Sequence, residues 1–155
     1  IDMMDYLVAV DGSESSMDAI EHAVSLITQT GGSLLIAHAV EARVLVDDAE
    51  SVGAAPTNTE VGERIYTEDI TDAESRGKSV LADAEEKIDV DNGIDIETAL
   101  LYGDPVECIS SHATEVAVDG IIVGHRSLSG RVEGLVGSVA KGLVERASVP
   151  VTVVK

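Results

Sequence analysis

Between Gly124 and Val139 the chain reads Gly-His-Arg-Ser-Leu-Ser-Gly-Arg-Val-Glu-Gly-Leu-Val-Gly-Ser-Val, a run rich in glycine, hydroxyl and arginine residues. Residues of these types suit the cradling of an anion. Ile121-Ile122-Val123 precedes the run and predicts a buried strand. After Ser138, Val139, Leu143, Val144 and Ala147 recur at helical spacing. A strand, a glycine-rich loop and a helix therefore follow one another. A helix N-terminus points unpaired N–H groups and the positive end of its dipole at whatever lies before it, which favours an anion. Glycines let the backbone approach that anion closely. Charge agrees: within 124–146, Arg126, Arg131, Lys141 and Arg146 oppose Glu133 and Glu145, a net of +2, so the rest of the −19 chain carries −21. The competing explanation of this stretch alone is a flexible connection with ordinary surface charge.

Other residues of chemical interest are few. Asp11, at the end of the apolar run Tyr6-Leu7-Val8-Ala9-Val10, is either a ligand contact or a turn residue bonded to its own backbone. His38 sits inside Leu34-Leu35-Ile36-Ala37-His38-Ala39-Val40 and is expected to be a hydrogen-bonded core histidine. His22, His38, His112 and His125 show no ligand spacing with each other or with Cys108, so no metal site is expected. The lone Cys108 excludes an internal disulfide and fits a reducing cytoplasm. No G-x-x-x-x-G-K-[ST] supplies a phosphate-binding lysine, and no G-x-G-x-x-G follows the first strand. No nucleophile and base stand out as a pair, which favours a binding module over an efficient enzyme.

The elements that would position these residues alternate. The run to Val10 is the first strand. The helix after it is capped by Ser13 or Ser15, with Ser15 and Asp18 shaped as a capping box and Met17, Ile20, Val24 and Ile27 on one face. Gly31-Gly32 stops it, and residues 34–40 form the second strand. Residues 41–75 hold ten acids against Arg43 and Arg64, and are expected to be a long acidic connection with a short element at Ala42 to Val46. Val80, Leu81, Ala84 and Ile88 predict the second helix, closed near Asn92-Gly93. Ile94, Ile96, Thr98 and Leu100 alternate with polar or small neighbours, as in a half-exposed edge strand. Asp104 and Pro105 suit the cap and first position of a third helix, whose Val106, Ile109, Ala113 and Val116 would face the core. Val151 to Val154 is the fifth strand.

Five strands and four helices in alternation predict an α/β fold, a doubly wound open parallel sheet with helices on both faces. A chain of 155 residues without Phe or Trp fits one such domain, spanning 1–155, with a core of Val, Ile, Leu and Ala. No apolar run is long enough to cross a membrane and no signal peptide is visible. Twenty-nine acids against ten bases, spread along the chain, resemble the solvated acidic surfaces of proteins from salt-loving microbes. Such a surface disfavours binding to nucleic acid or anionic membrane. In a sheet of this type, ligands bind beyond the carboxyl ends of the strands where the strand order reverses. If the first and fourth strands are neighbours, Asp11 and Gly124 face one crevice.

These residues also carry a family resemblance over the full length. Val8-Ala9-Val10-Asp11-Gly12-Ser13, Leu101-Tyr102-Gly103-Asp104-Pro105, Ile122-Val123-Gly124 with Gly137-Ser138-Val139, and Ser148-Val149-Pro150-Val151 resemble the universal stress protein family. Its ATP-binding branch has the pattern G-x2-G-x9-G-[ST]. Gly124, Gly137 and Ser138 match it, while Ser127 stands in place of the second glycine and can offer a hydroxyl instead. The resemblance implies strand order 3-2-1-4-5, an adenine nucleotide (ATP, ADP or AMP) in the crevice, and a homodimer joined through Val151 to Val154. It implies that Ala9, Val10 and Asp11 line the adenosine end, with Ala39 and Val123 at the base. Gly124, Ser127, Gly137, Ser138 and Val139 would wrap the phosphates, magnesium being their companion. Arg126 is added on charge alone. A nucleotide-binding stress-response protein is the leading expectation; a dimeric interaction protein of the same fold and a slow ATP hydrolase are the alternatives.

Overall fold

The computed structural model describes residues 4–40, 59–88, 93–126 and 136–155, with the backbone alone given for 59–69. Its elements in order are β1 (Met4–Ala9), α1 (Glu14–Thr30), β2 (Gly32–Val40), α2 (Thr59–Lys87), β3 (Asp95–Tyr102), α3 (Pro105–Glu115), β4 (Gly120–Gly124), α4 (Ser138–Arg146) and β5 (Val151–Val154). The five strands form one parallel sheet in the order β3-β2-β1-β4-β5. Ala9 of β1 pairs with Ala37 of β2 on one side and Val123 of β4 on the other.

The alternation of side chains along a strand divides the core into two layers. Val8 of β1 and Val10, just beyond its end, join Ala19, Ile20 and Ala23 of α1 and Leu81 and Ala84 of α2. Leu7 and Ala9 point the other way, to Ile109 and Ala113 of α3 and Ala140 and Leu143 of α4. Strands covered on both faces must be apolar at every position, which explains the uninterrupted runs in β1, β2 and β4. Each large side chain sealed in this way, Leu7 and Leu143 among them, contributes about 1.5–3 kcal/mol. β3, at the edge, keeps only part of its surface covered.

Three local expectations are corrected. Of the two serines expected to cap α1, Ser13 does so, its Oγ accepting the Ser16 N–H at 3.2 Å, and the capping box of Ser15 with Asp18 is not the cap. Ser15 lies inside the helix and is buried. α2 begins at Thr59, so residues 59–75 are helical where a connection was expected; its acids and Gly62 give no clear apolar period. Val116 is the C-cap of α3 and 46% exposed, because the helix ends at Glu115 before another turn can carry it inward. The short element expected at Ala42 to Val46 lies outside the described residues.

Candidate functional site

Beyond the carboxyl ends of the strands lies a cleft of about 970 Å³. It opens between β1 and β4, whose outgoing connections leave in opposite directions, toward β2 and β5 respectively, the position at which sheets of this type bind ligands. Ala9, Val10, Ala39 and Val123 supply an apolar floor, and Asp11, Gly124, Arg126, Gly137, Ser138 and Val139 line it further. The structure thus brings together the residues singled out from the sequence, except Ser127, which lies outside the described residues.

Asp11 has the turn role that competed with ligand contact: its Oδ1 accepts the Ser13 N–H at 2.9 Å. Ser16, one turn on, brings its Oγ to 3.4 Å from the Asp11 N–H and donates to the Ser13 carbonyl at 2.9 Å. This web fixes the β1–α1 turn, and Asp11 lines the cleft. The two functions are compatible, since a carboxylate accepts more than one hydrogen bond.

At the far side, α4 starts at Gly137 without any side-chain cap. The Gly137 N–H is donated to the His125 carbonyl oxygen at 2.6 Å. The first-turn N–H groups of Ser138, Val139 and Ala140 have no partner within the helix, and all three residues line the cleft. Gly137 has φ −63°, a conformation open to any residue, so its place does not depend on left-handed backbone. Gly124 is required for a different reason from ligand approach: a Cβ there would meet the Ser15 side chain and carbonyl. It is the contact point of β4 with α1.

Sequence reasoning missed several lining groups. Ala73, Arg76, Val80 and Asp83 form one wall from α2, spaced so that they share a helical face. α2 approaches closely because Gly77 lies against Leu100 and His38; a Cβ there would fall 2.8 Å and 2.9 Å from them. Only the tertiary placement of α2 reveals this wall. His38 is hydrogen-bonded as expected, its Nδ1 lying 2.7 Å from the Val10 carbonyl oxygen, but it also lines the cleft. Asp104, the cap of α3 with its carboxylate on the Glu107 N–H at 3.0 Å, lies on the rim.

His125 and Arg126 make a further cluster. Arg126 Nε–H reaches His125 Nε2 at 3.0 Å, and the Arg126 backbone N–H donates to Ser15 Oγ at 3.1 Å. Ser15 Oγ is 3.3 Å from His125 Nδ1, a serine–histidine contact invisible in the sequence. It is no nucleophile and base, because Nδ1 also lies 3.2 Å from the Val154 carbonyl oxygen and must carry a proton to bond it. Among the described residues no group of three or more His, Cys, Asp or Glu side chains is arranged to hold a metal ion. No described helix is long and apolar enough to cross a membrane.

The profile of the universal stress protein family matches residues 4–155. Over 149 residues the chain is 32% identical to the universal stress protein YxiE of Bacillus subtilis, covering 96% of this chain and 97% of that one. Its fold matches universal stress protein UspA from Lactobacillus plantarum with a TM-score of 0.81 at 18% identity, over 100% and 99% of the two chains. It also matches the universal stress protein from Archaeoglobus fulgidus solved in complex with dAMP, with a TM-score of 0.64 at 24% identity over 98% of each.

Proposed function

The chain belongs to the universal stress protein family, and from that premise we propose that it is a stress-response module that binds an adenine nucleotide, ATP in the first instance, in the cleft beside β1. The observation that carries this reading is the polarity of the cleft. Its floor of Ala9, Val10, Ala39 and Val123 suits a planar base, while Asp11 at one wall suits a ribose hydroxyl or base donor. The same cleft is lined by the uncapped start of α4 and by Arg126, both suited to phosphate. The relative complexed with dAMP supports the same ligand class.

Binding, not turnover, is the role these side chains support. Ser138 and Val139 would offer N–H groups to the phosphates, Arg126 would offset their charge, and Asp11 would orient the ribose. Magnesium, when present, would arrive on the phosphates and further screen their charge. The working form is a homodimer paired along β5, whose outer edge has no strand beside it among the described residues. Mass spectrometry of the purified protein after solvent denaturation tests the ligand class. Release of ATP, ADP or AMP in near-stoichiometric amount is expected; a nucleotide-free protein that also refuses added ATP would leave an interaction module of the same fold.

A further inference from the structure

Arg126 does not hang freely at the cleft. Its Nε–H is donated to His125 Nε2 at 3.0 Å. On the other side of the ring, Nδ1 lies 3.2 Å from the Val154 carbonyl oxygen, which also accepts the His125 backbone N–H at 2.9 Å. A carbonyl oxygen only accepts and an arginine Nε–H only donates. The two contacts together assign the ring: the proton is on Nδ1, the lone pair is on Nε2, and the imidazole is neutral. Ser15 Oγ, on the first turn of α1, lies 3.3 Å from the same Nδ1 and takes the Arg126 backbone N–H. Arg126 is thereby held at both its main chain and its guanidinium, from α1 and from the end of β5.

We infer that His125 is a positioning residue for the anionic end of the ligand: its neutral Nε2 fixes the Arg126 guanidinium before the phosphate arrives. The inference rests on the nucleotide reading above. One of the five guanidinium N–H donors is taken by the ring, and among the described residues the other four have no hydrogen-bond partner, which leaves them for phosphate oxygens. Arginine has many rotamers, and ordering it in advance removes an entropic cost from binding. Neither residue belongs to the glycine pattern that marks the loop, and His125 does not line the cleft, so its action is through Arg126.

Two amides separate the two sides of the ring. Glutamine at position 125 can set an acceptor near the place of Nε2, whereas asparagine can set a donor near the place of Nδ1 but leaves Arg126 without an acceptor. ATP and adenosine are titrated calorimetrically into wild-type protein, His125→Gln, His125→Asn and Arg126→Gln, with melting temperatures on the same samples. His125→Gln is expected to keep ATP affinity within about threefold, while His125→Asn and Arg126→Gln each lose about tenfold. Adenosine, which lacks phosphate, is expected to bind all four alike. Asparagine binding ATP as well as wild type, or better than glutamine, overturns the proposal and makes His125 a structural tie to β5. Equal losses for ATP and adenosine overturn it also. If wild type binds neither ligand, the nucleotide reading itself fails and the proposal with it. Nitrogen NMR of the wild-type imidazole tests the same point without any variant: Nδ1 protonated and Nε2 bare is expected, and the opposite tautomer contradicts it.

Discussion

The side chain and carbonyl of Ser15 occupy the space that a Cβ on Gly124 would need. β4 thus ends flush against the first turn of α1, and the β1–α1 turn and the β4 loop are brought to one cleft by this contact. Gly124→Ala is therefore expected to lower stability by about 1–3 kcal/mol, the usual cost of overpacking a tight contact. Thermal melts measure it. Adding Ser15→Gly should recover only part of the loss, because the Ser15 carbonyl and its carbon lie at 2.5 Å and 2.6 Å from that Cβ and remain. An unchanged melting temperature in Gly124→Ala would mean that the two elements slide apart without cost.

That contact also shows what could and could not be read from the chain alone. The runs at Leu7 to Val10, Leu34 to Ala37 and Ile121 to Val123 announce doubly covered strands, because positions covered by helices on both faces must be apolar. Asp104-Pro105 announces a helix start for a local chemical reason, a carboxylate on a first-turn N–H. Gly124 was legible as a glycine of importance, but its partner Ser15 is 109 positions away and only the fold joins them. The same holds for the wall formed by Arg76 and Asp83, and for the Ser15, His125 and Val154 contacts. The start of α2 was missed because its first turns have acids and Gly62 in place of an apolar stripe. Of the two serines that could cap α1, Ser13 is chosen because the Asp11 side chain turns the chain there, two residues before Ser15.

Asp11 has a turn role and a proposed ligand role, and two substitutions separate them. Asp11→Asn retains an oxygen for the Ser13 N–H and should keep the melting temperature. It removes the charge, and ATP affinity should fall by about 1.5–3 kcal/mol if the carboxylate accepts from the nucleotide. Asp11→Ala should show the same affinity loss together with a modest loss of stability, about 0.5–1.5 kcal/mol, from the vacated turn. Calorimetry and melting on both variants decide; identical ATP affinity in all three proteins would confine Asp11 to the turn.

Cys108 is half-buried on α3, and burial pushes its thiol up from the ordinary value of 9.0, with Asp104 and Glu107 adding to the effect. The folded state therefore holds this proton more tightly than the unfolded state. Its contribution to stability is complete below the ordinary thiol range and is lost as pH rises through that range and beyond. Alkylation by iodoacetamide at mildly alkaline pH should run more slowly on the native protein than on urea-unfolded protein. Cys108→Ser should flatten the alkaline fall in stability, and an equally steep fall would assign it to other groups.

A net charge of −19 on 155 residues repels itself, and salt screens that repulsion. The screening length contracts from about 30 Å at 0.01 M to about 3 Å at 1 M. The melting temperature is expected to rise steadily over that range of sodium or potassium chloride. A flat response would remove the assignment of the acidic surface to a saline environment.

The most direct test of nucleotide binding is calorimetric titration of ATP into nucleotide-stripped protein, with Gly137→Val and Ser138→Ala alongside wild type. One site per chain is expected in wild type. Ser138 and Val139 line the cleft beside Gly137, at the end proposed for the phosphates, so a branched side chain at 137 should abolish or severely weaken binding while the protein still melts cooperatively. Ser138→Ala removes a neutral hydroxyl and should cost about 0.5–1.5 kcal/mol. Wild-type protein that shows no heat of binding for ATP, ADP or AMP at any accessible concentration would contradict the assignment of this cleft to an adenine nucleotide.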